Sequence, residues 1–548
     1  MGVWLGAIGL ASGLIVAVGW PAGCVALRTF VRGFQPESGA GPVDVGRLWG
    51  LAIESSRLVA FTECLVLPLG VLLAFLIFRT DLWGRRAALP LLLMGLFVPL
   101  PLHAVCWLGA FGNQGRQQAL GNAPVLVGTW GAAVVHAVAM LPWVVLIVGV
   151  SLRTVEAELE EQALLEMPAW RVIWIITLRR CLGGIAAAAV VVAVLTAGEM
   201  TVTDLIPLRT YAEETYIQAQ QGLSVESVIL RAVLPQVVVV FALIIGLGAW
   251  LIRLEPERLG LMTVGRMTWR LNAWAWPVGL AVWIGIGLLV GLPAYGLIWR
   301  AGRVGPGLLS GAETPWSLSG FIGTMSAAWS DLTEPRLSSP GSPLWDSLLW
   351  AFLGGAIATL LAWSLAWAGR RSLSWQVVLL VTVALGLAAP APVVGLAMKV
   401  AYVRFRWLTE TPALLVLTYA ARSLPFVLLM LWPLVRGMPQ AWVDDVVLRG
   451  GGPARQFWEA GVLPGWPALM VACLLATALA LGELPAAYFV YAPGSEPISI
   501  TVWGLLHVGV ESRLAGIGLW LLLICGCMGA AAACVAHYFL RQISIEPN

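Results

Sequence analysis

Residues 443–458 read Val-Asp-Asp-Val-Val-Leu-Arg-Gly-Gly-Gly-Pro-Ala-Arg-Gln-Phe-Trp and lead to Val462-Leu463-Pro464. Residues 158–171 read Glu-Leu-Glu-Glu-Gln-Ala-Leu-Leu-Glu-Met-Pro-Ala-Trp-Arg and lead to Thr177-Leu178-Arg179-Arg180. Each stretch opens with acidic residues, breaks at Pro or Gly, and resumes as a second amphipathic piece. Carboxylates suit the positive end of a helix, and Gly or Pro suits the break between two short ones. A short polar helix–turn–helix of this kind, standing between long apolar runs, can dock in a groove of a partner.

The apolar runs on either side set the fold class. A membrane-crossing helix needs about 20 apolar residues. Such runs lie near 3–27, 52–78, 87–110, 124–150, 182–203 and 231–252, and again near 273–299, 345–368, 375–402, 411–435, 466–489 and 515–539. The expectation is an all-α membrane protein of about 12 transmembrane helices in two homologous six-helix halves. Its parts are an N-terminal helix and outer loop (1–50), a first domain (51–253), a linker with the seventh helix and a second outer loop (254–343), and a second domain (344–540). The loop from Ala301 to Pro343 is rich in Gly, Ser and Pro and reads as irregular.

Composition agrees. Of 548 residues, 59% are hydrophobic and 11% charged, against about 25% charged in soluble domains. The net charge of +3 and the lack of a basic block give no reason to expect nucleic acid. Membrane lipid is the expected surrounding. The eight cysteines form no C-x-x-C pair and read as small packing residues. His103, His136, His507 and His537 are dispersed without ligand spacing, so no metal site and no cofactor is expected. Lys399 is the sole lysine and is followed by Val400. A phosphate-cradling Gly-Lys-Ser/Thr is therefore excluded, and no nucleophile elbow or zinc helix is present, so the chain is not expected to be an enzyme.

Arginines in short loops orient the chain. Arg79, Arg85 and Arg86, then Arg153, Arg171, Arg179 and Arg180, then Arg253, Arg258, Arg266 and Arg270 all fall on one side if both termini are cytoplasmic. Arg370, Arg371, Arg436, Arg449, Arg455 and Arg541 continue the series. Arg28, Arg32, Arg47 and Arg57 oppose it.

The two halves overlay at a shift close to 284 residues. Glu160-Glu161 falls on Asp444-Asp445, Arg171 on Arg455, Trp174 on Trp458, and Gly198-Glu199 on Gly482-Glu483. Leu141-Pro142-Trp143 meets Leu424-Pro425-Phe426 one residue off, and Gly84-Arg85-Arg86 meets Gly369-Arg370-Arg371 at nearly the same shift. Six helices per half keep one topology, which implies a pseudo-two-fold axis along the membrane normal and a pathway between the halves. Glu199 and Glu483 lie late in apolar runs at matched positions. Carboxylates there are costly and point to a pathway, a gate or a contact between the halves.

With these residues on the page, a resemblance can be named. The two loops resemble the EAA loops of type-I ABC importer permeases, with the pattern E-A-A-x-x-x-G and, about a dozen residues on, L-P. Asp445, Val446, Val447, Gly451, Leu463 and Pro464 take those places in the second half; Glu161, Gln162, Ala163, Met167, Arg179 and Arg180 take them in the first. Arg79-Thr80-Asp81-Leu82-Trp83-Gly84-Arg85-Arg86 resembles the R-T-D-L-P-G-R-R turn of fused ferric-iron and thiamine permeases. Gly198–Leu205 and Arg209–Tyr216 resemble the corresponding stretch of ferric-iron permeases. The resemblance implies ATPase coupling at Glu160, Glu161, Ala163, Met167, Asp444, Asp445, Gly451, Leu463 and Pro464. It also implies two separate ABC ATPase subunits, an extracytoplasmic solute-binding protein, a bacterial inner-membrane location and ferric iron as first cargo, with thiamine, polyamines or phosphonates behind. Met167 and Arg179-Arg180 depart from the pattern, so the halves would couple unequally. The competing reading is a major-facilitator-type secondary transporter, whose loop motif is matched only in part at 81–86, and which gives the repeated fourth loop no role. A non-transporting scaffold leaves the matched Gly-Glu pairs without purpose.

Overall fold

The structure is a computed structural model that describes residues 9–32, 44–112, 121–229, 234–252, 268–303, 315–335, 341–508 and 511–545. The described residues are helical, with no strand beyond an isolated bridge between Thr80 and Trp269.

In chain order the helices are α1 (Gly9–Val31), α2 (Val45–Arg79), α3 (Arg85–Phe97), α4 (Leu100–Phe111), α5 (Gly128–Leu152), α6 (Ala157–Leu164), α7 (Ala169–Arg180), α8 (Leu182–Ala197), α9 (Thr201–Leu205), α10 (Tyr211–Gln220) and α11 (Leu234–Ile252). They continue as α12 (Asn272–Ala301), α13 (Leu318–Thr333), α14 (Pro343–Gly369), α15 (Leu373–Ala388), α16 (Ala391–Tyr402), α17 (Ala413–Arg436), α18 (Gln440–Leu448), α19 (Pro453–Leu481), α20 (Ile498–Val508) and α21 (Glu511–Ile545). Among the described residues, 8 helices are long and apolar enough to cross a membrane, and up to 11 if each bent pair is one span.

Local chemistry explains the boundaries. Asp44 caps α2 by accepting the Arg47 N–H, and Ser342 caps α14 by accepting that of Trp345. The third apolar run of each half is not one straight helix. α3 and α4 meet at 102°, and α15 and α16 at 108°. Pro99 and Pro390 stand at the two breaks in extended conformation, each followed two residues on by a second proline, Pro101 and Pro392. Proline removes the N–H that would continue the ladder and pushes its predecessor out of helix. The break recurs because the same Pro-x-Pro recurs.

The joint after the fourth loop differs between copies. Both carry a π-helical turn, Ile173–Thr177 and Phe457–Val462. Where the second copy has Leu463-Pro464, α19 runs on unbroken; at Arg179-Arg180-Cys181, α7 and α8 bend by 59°.

The packing repeats across the chain. α2 lies along α5 as α14 lies along α17, and α8 and α19 fill the respective grooves. The outer helices cross over: α11 packs on α15 while α21 packs on α3, and α1 packs on α16 while α12 packs on α4. Gly95 and Gly386 occupy matched places, each close enough to a helix proline (Pro142 and Pro425) that an added Cβ would sit 3.0 Å from the proline Cγ. One buried cluster joins Leu141 and Val144 of α5 with Phe426 of α17 and Leu475 of α19.

Several expectations change. The loop between Ala301 and Pro343 contains α13, a regular helix tied to α21 by an Arg513–Asp331 ion pair. Arg79, read as a loop arginine, is the last residue of α2 and is fully buried. Residues 3–8, the start of the 231–252 run and Arg253, Arg258 and Arg266 lie outside the described residues.

Candidate functional site

A cavity of about 160 Å³ lies where the two breaks and the two Gly-Glu turns converge. Its charged lining residues are Glu199, Glu483 and Arg422. Trp143 and Phe426, the matched ends of the two Leu-Pro-aromatic motifs, also line it, with ring centroids 5.9 Å apart. The matched carboxylates are thus brought to one place. Gly482 allows it: a Cβ there would stand 2.1 Å from the Pro99 Cβ, so the break between α3 and α4 rests directly on the second Gly-Glu turn.

The two carboxylates are held differently. Glu199 accepts the backbone N–H groups of Thr201 (2.7 Å) and Val202 (3.0 Å) at the start of α9. Glu483 accepts the Ala486 N–H at 3.2 Å and pairs with Arg422, whose Nε lies 3.1 Å from its Oε2. Arg422 Nη1 also donates to the carbonyls of Ala389 (3.4 Å) and Gly386 (3.5 Å), at the end of α15. Sequence reading passed over Arg422, although an arginine in the middle of the 411–435 apolar run is itself a signal.

The fourth loops form the second candidate surface. α6 and α18 both leave a leucine almost fully exposed at their C-terminal ends, Leu165 at 88% and Leu448 at 86%. Trp170 and Trp174 stand exposed beyond Leu165, as Trp442 and Trp458 do around Leu448. Glu161, Asp444 and Asp445 are exposed beside these residues. Asp445 pairs with Arg449 at 2.6 Å, and Arg449 reaches Glu459 at 3.6 Å. Leu463 is exposed, while Pro464 and Met167 are half-buried.

Glu160 does not belong to that surface, which corrects the expectation that it faces a partner. Its carboxylate is fully buried and held by Arg79 and by the Thr177 hydroxyl; Arg79 also donates to the Leu152 carbonyl at 3.2 Å. The matched Asp444 stays exposed and takes the Gln440 amide at 2.8 Å. Ala163 is buried under α6. Gly451 is a packing glycine, since a Cβ would meet the Val446 side chain at 2.4 Å. The left-handed residue that ends α18 is its neighbour Gly450, with φ +76°. α6 ends without one.

The Arg79–Arg86 turn is tied to the segment that leads into α12. Trp269 donates its N–H to the Arg79 carbonyl at 2.8 Å, and Asp81 accepts the Leu271 N–H at 2.8 Å. Gly84, with φ +73°, turns the chain into α3 beneath Trp283. At the opposite end of the helices, α10 buries its aromatic and acidic side chains. Tyr216 packs against Tyr488, Phe489 and Trp503. Glu214 lies 2.6 Å from Arg47, and Glu226 lies 3.8 Å from Arg28. Burial, with Asp204 adding to it, pushes the Glu213 carboxyl up to about 7.

No family model matches the chain, and no curated protein matches it. The long apolar helices define it as a multi-pass helical membrane protein.

Proposed function

We propose that the chain is the membrane-spanning, non-hydrolysing permease of an ATP-driven importer, built from two six-helix halves with the cargo route between them. The observation that carries this reading is an exposed leucine at the C-terminal end of each short acidic helix, Leu165 and Leu448, one residue apart in the overlay that sets Glu160-Glu161 on Asp444-Asp445. A leucine left in water is common alone. Two, each with exposed tryptophans and carboxylates nearby in sequence, make paired docking knobs for two copies of one partner. Two ATPase subunits satisfy that geometry, and their closure would draw α6 and α18 together and rock the halves.

The reading takes both termini as cytoplasmic, from the arginine-bearing short loops. Of the four arginines that oppose it, Arg28 pairs with Glu226, Arg47 with Glu214 and Arg57 with Glu54. An extracytoplasmic binding protein would deliver cargo at the α10 end. The resemblance names ferric iron as first cargo, with thiamine, polyamines or phosphonates behind.

The test is co-purification from the native membrane. An ATPase that comes with the chain, and uptake that follows ATP, supports the reading. Uptake driven by a proton gradient with no associated ATPase refutes it. Asp445→Lys should leave the protein folded, because an exposed i,i+4 pair contributes about 0.3–0.5 kcal/mol, while breaking the link between hydrolysis and uptake.

A further inference from the structure

The cavity contains one structural frame twice, and only one copy is filled by the protein's own cation. In the second half, the frame is the broken end of α15, Glu483, and a position on α17 held by Arg422. The guanidinium sits among the carboxylate and the carbonyls of Gly386 and Ala389. Helix C-termini carry partial negative charge, and broken membrane helices use such ends to hold cations. In the first half the frame is the broken end of α3, Glu199, and the matched position on α5. That position, one place before the Met140-Leu141-Pro142 run as Arg422 is before Ser423-Leu424-Pro425, is Ala139. Ala139, Glu199, Gly95 and Val98 all line the same cavity. The Gly95 carbonyl is engaged by His103, which leaves the Val98 carbonyl as counterpart of Ala389.

We infer that Glu199 and the carboxyl end of α3 form a binding site for a nitrogen cation of guanidinium or ammonium type, the free twin of the site that Arg422 occupies. This rests on the permease reading only for calling that cation cargo; the site stands on the internal repeat. The class follows from the twin. What the frame holds in the second half is a delocalised, hydrogen-bond-donating nitrogen cation, not a bare ion. Trp143 and Phe426 present ring surface to the same space, which favours an organic cation. A hard metal ion takes six or more oxygen ligands, whereas of the two carboxylates here one is already engaged by Arg422. The charged side chains that line the cavity are Glu199, Glu483 and Arg422, and of the two carboxylates Arg422 pairs with Glu483 alone.

The test uses the purified full chain in lipid nanodiscs, with radiolabelled methylguanidinium as probe and trivalent terbium as the metal arm. Methylguanidinium should bind saturably with one site per chain. Glu199→Gln should weaken it about tenfold or more, the loss expected when a charge-assisted hydrogen bond is removed. Ala139→Arg should abolish binding by supplying the first frame with its own guanidinium, and thermal unfolding of that variant should stay cooperative. The inference fails if methylguanidinium does not bind, if terbium alone binds in a Glu199-dependent way, or if Ala139→Arg binds like the parent. No ATPase enters the assay, so its failure alongside ATPase co-purification would remove the cation site and leave the permease reading standing.

Discussion

Arg79 and Glu160 form an ion pair in which neither side chain is exposed to solvent. The arginine ends α2 and the acid belongs to α6, so the pair fastens the α6–α7 loop to the long helix beneath it. Thr177 of α7 completes the tie on the other side. The Arg79 carbonyl in turn accepts from Trp269, just before α12. The first loop is therefore anchored to α2 and, through it, to the segment before α12, whereas the second holds itself with surface pairs among Asp445, Arg449, Arg455 and Glu459.

Removing one partner of a buried pair strands the other charge, at a cost of about 3–5 kcal/mol. Arg79→Ala or Glu160→Gln should lower the unfolding temperature of the purified protein clearly. The double variant should recover part of the loss. Additive losses, read by a double-mutant cycle, would mean the two groups do not act as a pair.

The exposed leucines behave oppositely. Leu165→Asp and Leu448→Asp change residues in contact with little of their own chain, so stability should move by no more than about 0.5 kcal/mol. On the permease reading proposed above, each should weaken capture of an ATPase subunit at least tenfold, as loss of an interface anchor does. Pull-down and thermal unfolding on the same preparations separate the two effects. Unchanged capture in both variants would sink the docking role.

Gly198 and Gly482 are matched, have nearly the same backbone angles (φ −90° and −91°), and differ in what surrounds them. A Cβ at 482 would collide with Pro99, whereas at 198 it would meet only the Val194 carbonyl at 3.2 Å. Gly482→Ala should therefore destabilise the protein by about 1–3 kcal/mol through overpacking, and Gly198→Ala should do much less. Thermal unfolding of the two variants side by side checks this; equal losses would show that Pro99 does not rest on the Gly482 turn.

Glu213 gives a pH signature. Its carboxyl, ordinarily near 4.5, is raised to about 7 in the folded chain, chiefly by burial. A raised carboxyl binds its proton more tightly folded than unfolded. Its contribution is complete below about pH 4.5 and is lost as the pH rises through about 7. Unfolding temperature should fall over that window, and Glu213→Gln should flatten the fall. The same slope in the variant would assign it to other groups.

What the sequence determined by itself is the repeat and its materials. Long apolar runs can be satisfied only as membrane helices, because hydrocarbon offers the backbone no hydrogen bonds. Matched acidic loops and matched Gly-Glu pairs are legible because the overlay needs no third dimension. The two helix breaks go unread when 87–110 and 375–402 each count as one run; their signal is the Pro-x-Pro pairs at 99–101 and 390–392, a local effect of proline on its own backbone. Tertiary structure decided which of these residues act. Glu160 and Glu161 are adjacent and alike in sequence. One is buried because Arg79, 81 residues away, meets it, and the other stays in water. Glu199 and Glu483 read as equals, and become unequal only because α17 brings Arg422 to one of them, while α5 brings Ala139 to the other. Charge is local to a residue, but its cost and its partner are set by what folding places beside it.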